Sequence, residues 1–143
     1  MRFLRQELTK HCFLIRFFPE EDLLIKTQDF VKKQKIQAGY LAGIGAVKQA
    51  RIGFFDGEEY LVNQFNEDLE IVSLTGNIAM DMVHMHGIFA QKDGKCVGGH
   101  IMPGCIVSVT CELHIFVLIP AVSRKEDPLT QLKLLDLPEE MNS

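Results

Sequence analysis

The chain has 143 residues, a formal net charge of −4 and an isoelectric point near 5.7, with 47% hydrophobic and 24% charged residues. These values are ordinary for a soluble globular protein and predict one domain, residues 1–143, that buries a sizeable core. The acidic balance argues against a protein that holds nucleic acid through a strong overall positive field, although a local basic patch is compatible with it.

The sequence predicts no targeting signal and no membrane span, and it contains no Cys-x-x-Cys motif. No apolar run approaches the ~20 residues needed to span a membrane, and the opening segment MRFLRQELTK lacks the apolar core of a secretion signal. A cytoplasmic location without membrane contact is therefore expected. No Cys-x-x-Cys pair occurs, and small buried thiols are the favoured interpretation of Cys12, Cys96, Cys105 and Cys111.

The first predicted elements are a strand and a helix. Residues 11–18 are typical of a buried strand, which Pro19 ends. An acidic first turn and helical apolar spacing then predict one amphipathic helix from about Glu20 to Gln37. A solvated face is favoured over a nucleic-acid patch for the lysines near its end, Lys32, Lys33 and Lys35.

After the helix, the pattern changes to short apolar segments separated by turn residues. Such segments indicate a mainly antiparallel sheet of about six or seven strands, and one long N-terminal helix packed on it gives an α+β fold. The tail, residues 120–143, is expected to pack on the domain or on a neighbouring subunit before fraying near Glu139. The predicted strands cover residues 38–47, 49–55, 60–65, 69–80, 83–90, 96–102 and 106–119.

The most informative segment is HMHGIFAQKDGKCVGGH, because it holds three of the five histidines within residues 84–100. Its centre predicts a hairpin with the three-residue loop 92–94, in which Gly94 takes the left-handed conformation. In that register His86 lies opposite His100, and His84 shares the face of His86. Three imidazoles so placed can converge on one metal ion.

Other interpretations of this segment remain open. A His-x-His strand can simply present an exposed polar face, or hold histidines that are hydrogen-bonded in a core. A bulge at Gly98-Gly99 would move His100 to the other face. Cys96 is close in sequence, but the register pairs it with Ala90 at the far end of the hairpin, so it is a weak candidate ligand. A cupin is disfavoured because no carboxylate follows the His-x-His pair.

Several segments in a fixed order resemble the plants and prokaryotes conserved (PPC) domain, over roughly Glu7 to Ile119. They are GYLAGIGAV, IGFFD, LEIVSLTGNIA, HMHGIFAQKDGKCVGGH and VSVTCELHI. The resemblance is to the stand-alone prokaryotic type and implies an α+β domain that forms a homotrimer. It also implies a divalent metal, expected to be zinc, on His84, His86 and His100.

Plant relatives combine this domain with an AT-hook, a basic Arg-Gly-Arg-Pro segment that enters the minor groove of DNA. The sequence contains no such segment. A DNA-binding or regulatory function is therefore a fold-level analogy, whereas trimerisation and partner-binding surfaces carry over more safely.

Two functional classes follow. The first is a metal-stabilised, trimeric binding module, regulatory or DNA-associated. The second is a metal-dependent enzyme, such as a hydrolase, because three histidines leave a fourth metal position open to water. That enzyme needs a base, and Glu112 is a candidate because it shares a strand face with Thr110 and His114. Glu70 and Asp81 are weaker candidates, and a solvent-facing or capping role is favoured for all three carboxylates.

Overall fold

The protein is described by a computed structural model that covers residues 4–9 and 11–138. Its elements are ten strands and one helix within these ranges. In chain order they are β1 (Leu4–Thr9), β2 (Cys12–Phe17), α1 (Leu23–Gln34), β3 (Ala38–Phe55), β4 (Tyr60–Phe65), β5 (Leu69–Ala79), β6 (Met82–Ala90), β7 (Cys96–Ile101), β8 (Ile106–Val117), β9 (Ser123–Glu126) and β10 (Lys133–Asp136).

The main sheet is antiparallel, and seven of its strands follow the order β1-β2-β8-β3-β5-β6-β7. The eighth strand, β4, pairs with the second half of β3. The last strand, β7, also returns to β3 and places Gly53 opposite His100. Strands β3, β5, β6 and β7 therefore form a closed ring of pairings, and β9 and β10 form a separate hairpin.

The long strand β3 replaces two predicted strands. Lys48 interrupts the apolar pattern, but the backbone continues through it with a register shift against β8, and its ammonium group binds the Glu20 carboxylate at 2.6 Å. Gly45 allows β8 to approach closely, since a Cβ atom there would lie 2.2 Å from the carbonyl oxygen of Thr110. The pairing of this strand thus depends on long-range contacts that local periodicity does not report.

The helix is shorter than predicted and is not N-terminal, because two strands precede it. Its 12 residues begin after Asp22, whose carboxylate accepts the Ile25 N–H at 3.0 Å as an N-cap. Lys35, at a φ of 55°, ends the helix in the left-handed conformation. The expected packing on the sheet is confirmed, since the helix buries Leu23, Thr27, Phe30 and Val31.

Alternation along β6 decides which side chains face outward. Met85 and Phe89 are fully buried in the core, so His84 and His86 point to the opposite side of the sheet.

The tail contributes the β9–β10 hairpin, which contacts the sheet through a hydrogen bond from Arg124 to Asn77. Residues 139–143, where fraying is predicted, lie outside the described residues.

Within the described ranges, no helix is both long and apolar enough to cross a membrane.

Candidate metal centre

The predicted register of the histidine hairpin is confirmed. His86 pairs with His100 and Ala90 pairs with Cys96, without a bulge at Gly98-Gly99. The loop closes as its residues suggest, with Gly94 at a φ of 83° and its N–H donating to the Gln91 carbonyl oxygen at 2.8 Å. A local turn therefore decides which histidines become neighbours.

The three imidazoles converge on the outer side of the sheet. One ring nitrogen from each of His84, His86 and His100 lies within 4.8 Å of the others, and the Nε2 atoms of His84 and His86 are 3.2 Å apart. Two nitrogens bound about 2.05 Å from a tetrahedral zinc would be separated by about 3.3 Å. The same separation suits a hydrogen bond between two imidazoles, so the third ring is what distinguishes this cluster from a simple pair.

Burial lowers the pKa of two of these imidazoles. The pKa of His100 falls to about 4, chiefly because burial disfavours the charged ring and also because His84 and His86 add like charge. Burial also lowers the pKa of His84, with smaller contributions from His86 and Arg124. Neutral imidazole is the form that binds metal ions. The buried Nδ1 of His100 has no hydrogen-bond partner, as expected for a nitrogen available to a ligand.

Tyr60 supports the cluster from a distant part of the sequence. Its ring stacks on His100 with centroids 4.9 Å apart. The contact requires a glycine at position 53 of β3, opposite His100 of β7. A Cβ atom on residue 53 would lie 2.8 Å from Cδ1 of the tyrosine ring. Sequence reasoning missed Tyr60 because the contact depends on the pairing of β3 with β7, for which the sequence carries no local signal.

A cleft of about 220 Å³ adjoins the histidines. It lies between His84 and His100 on one side and the β9–β10 hairpin on the other, and Tyr60 and Arg124 also line it. The guanidinium of Arg124 donates hydrogen bonds to the Asn77 side-chain oxygen and, at 3.0 Å, to the Lys133 carbonyl oxygen. Arg124 was also missed by sequence reasoning, because the tail gives no indication of which strand it contacts.

The predicted catalytic carboxylates lie elsewhere. Glu112 and Glu70 line a separate cleft of about 420 Å³ between β8, β3 and β5. Three strand spacings, about 14 Å along the sheet, separate β8 from β6. Asp81 lies in the β5–β6 turn, where its carboxylate accepts a hydrogen bond from Gln37 at 2.6 Å. Among the described residues, no carboxylate or cysteine joins the three histidines.

The donor set is compatible with a divalent metal. Three imidazoles without a carboxylate suit zinc, copper, iron or nickel better than magnesium or calcium, which prefer oxygen ligands. A tetrahedral ion would keep a fourth position for water or another ligand, as catalytic three-histidine sites do.

The fold and the site together define a small antiparallel β domain, with one covering helix, that displays three histidines on its outer side. A sequence model of the Plants and Prokaryotes Conserved (PCC) domain, also written PPC, matches residues 5–119. The chain belongs to this family.

Solved structures agree with the fold. A metal-containing protein from Archaeoglobus fulgidus is 33% identical, with a TM-score of 0.79 over 95% of this chain and 97% of that chain. A "putative dna binding protein" from Bacteroides thetaiotaomicron has a TM-score of 0.86 over 94% of this chain and 96% of that chain. At 23% identity, the Bacteroides protein shows the fold alone.

A curated relative is longer. The bifunctional protein GlmU of Synechococcus sp. (strain JA-3-3Ab) is 36% identical over 119 residues, which cover 81% of this chain and 19% of that protein. The chain thus spans about a fifth of the length of the curated relatives it matches.

Proposed function

We propose that the chain is a metal-holding binding module that uses His84, His86 and His100 to bind zinc. The convergence of three imidazole nitrogens within 4.8 Å carries this proposal. The lowered pKa of His100, about 4, supports it because protons then compete less with the metal for this ring at neutral pH. The Archaeoglobus protein, which is metal-containing, adds support from a relative.

Metal analysis of the purified protein tests this proposal directly. Inductively coupled plasma mass spectrometry after dialysis against a zinc-free buffer is expected to find one zinc per chain. Anomalous scattering at the zinc edge should then place the ion between the three rings. A protein that emerges free of metal, and that does not take up zinc, cobalt or nickel on addition, contradicts the proposal.

The module is proposed to act as a homotrimer. Three side chains on the outer side of the sheet, Ile44, Val72 and Val109, are 51–65% exposed and line the cleft that contains Glu70 and Glu112. A contiguous apolar patch of this kind is typical of an association surface. Its separation from the histidines lets association and metal binding occur at different places.

DNA is a proposed partner on the analogy of the Bacteroides protein's name. The formal charge of −4 argues against strong phosphate contact, and the clustered lysines Lys32, Lys33 and Lys35 are the local exception. Fluorescence anisotropy with duplex DNA at 20 and 200 mM salt decides the matter. Affinity that falls steeply with salt supports DNA binding, and absence of binding at 20 mM excludes it.

A metal-dependent hydrolase is the second candidate, favoured by the 220 Å³ cleft beside the open metal position. The distance of Glu112 from the histidines argues against a carboxylate base of the expected kind. Zinc-loaded protein should be screened against ester, phosphoester and lactone substrates, with His84→Ala as the control. Turnover that requires both zinc and His84 would support this candidate.

A further inference from the structure

The cleft beside the histidines has an unbalanced charge. Arg124 is partly buried, and none of the ion pairs among the described residues includes it. Burial lowers the pKa of its guanidinium, and no neighbouring carboxylate offsets this effect. A partly buried cation without a counter-charge is costly, and a metal ion bound nearby would increase the positive charge further.

Arg124 also retains unused hydrogen-bonding capacity. Only two of the five N–H donors of the guanidinium group have partners within the described structure, one on Asn77 and one on Lys133. Its Nε is buried and has no partner. The Asn77 and Lys133 contacts hold the group in place, which limits the entropy that ligand binding would cost.

The walls of the cleft restrict what could satisfy this charge. Lys133 is the second cation of the lining, and no acidic residue is among the described lining residues. Much of the remaining surface is apolar and comes from Met82, Val83, Leu132 and Leu134. A volume of about 220 Å³ admits a molecule of only a few carbon atoms.

We infer that this cleft binds a short organic monocarboxylate, with its carboxylate between Arg124 and the metal held by His84, His86 and His100. The carboxylate completes the open metal position and neutralises Arg124, while the hydrocarbon part contacts the apolar wall. Phosphate carries the required charge but leaves the apolar wall without a partner. This inference rests on the proposed metal function and names the ligand class of the same site.

Cobalt-loaded protein provides a test with a direct readout. Butyrate is the carboxylate probe, butanol the uncharged control and inorganic phosphate the competing anion. Butyrate is expected to change the visible absorption of the cobalt centre and to release heat in isothermal titration calorimetry with the zinc-loaded protein. Butanol should produce neither signal.

Matched arginine variants locate the site. Arg124→Gln is expected to weaken butyrate binding at least tenfold, with cobalt and zinc content unchanged. Arg124→Lys keeps the charge and should recover part of the affinity, which guards against an effect on hairpin folding. Arg16→Gln is the control because Arg16 bonds Thr110 on β8, away from the histidines. It should bind butyrate as the wild type does.

The outcomes separate this inference from the proposed function. Metal binding without a response to butyrate overturns the inference alone, and so does preference for phosphate or equal binding by Arg124→Gln. If metal-free protein binds butyrate as tightly as metal-loaded protein does, the carboxylate is not shared between Arg124 and the metal, and the inference is wrong. A chain that binds neither zinc nor cobalt overturns both proposals.

Discussion

Two clefts on the outer side of one sheet differ in the charges that they collect. The cleft beside β6 and β7 is lined by His84, His100 and Arg124, whereas the cleft between β8, β3 and β5 holds Glu70 and Glu112 among exposed apolar side chains. Only the first gathers metal-ligand nitrogens. We propose that a ligand binds at the first cleft and that chains associate at the second, and each proposal can be tested separately.

The largest expected effect is the loss of metal on removal of His100. Because this ring is one of three proposed ligands, His100→Ala should lower zinc affinity by at least 100-fold, measured by competition with a chromogenic chelator. His114→Ala is the matched control, since His114 is an exposed histidine on β8, outside the cluster. Wild-type zinc affinity in His100→Ala would refute the site.

The second prediction concerns the acidic, apolar cleft. Val109→Glu places a charge among apolar side chains next to Glu112 and should dissociate the proposed trimer to the 16.2 kDa single chain. Light scattering coupled to size-exclusion chromatography measures the mass. Leu129→Glu is the control, because Leu129 is 89% exposed in the turn between β9 and β10. An unchanged mass in Val109→Glu would remove this cleft from the interface.

The contacts of the histidine cluster that are local in the sequence could be predicted, whereas its long-range contacts could not. The pairing of His86 with His100 depends on a loop of three residues, and local turn chemistry was sufficient to predict it. The neighbours of the histidines come from elsewhere: Tyr60 through the β3–β7 pairing and Arg124 through the packing of the tail. Long-range pairings of this kind leave no periodic signal in the sequence.

The predicted boundaries of two elements were wrong for a related reason. The helix was predicted from Glu20 because acidic residues suit a first turn, but the Asp22 side chain caps the helix and moves its start to Leu23. The predicted break at Lys48 was wrong because a polar residue can occupy a register shift within a continuous strand. In both cases a specific tertiary or capping contact outweighed the residue pattern.

A smaller effect is expected from pH in the metal-free protein. Since folding lowers the pKa of His100 from 6.5 to about 4, the unfolded chain binds more protons between these values. This contribution to stability is intact above pH 6.5 and falls as the pH drops towards 4. Because the ring is only half-buried, solvent screening reduces the expected loss to about 1–2 kcal/mol.

Urea unfolding at pH 7.0 and 4.5 measures this dependence. Other groups titrate in the same range, so the comparison of interest is between the wild type and His100→Gln, each without metal. The glutamine variant should lose less stability between the two pH values. An identical loss in both proteins would show that His100 does not titrate as its burial suggests.

The smallest effect is predicted for Tyr60, which contacts a proposed ligand without binding the metal. Tyr60→Leu removes the ring stacked on His100 and should lower zinc affinity three- to tenfold, since such aromatic contacts contribute about 0.5–1.5 kcal/mol. Tyr40→Leu is the control, because Tyr40 stacks on Phe116 and not on a histidine of the cluster. Equal zinc affinities in the two variants would mean that the histidine hairpin orients its rings without help from β4. The proposed metal site would then depend only on residues within the hairpin.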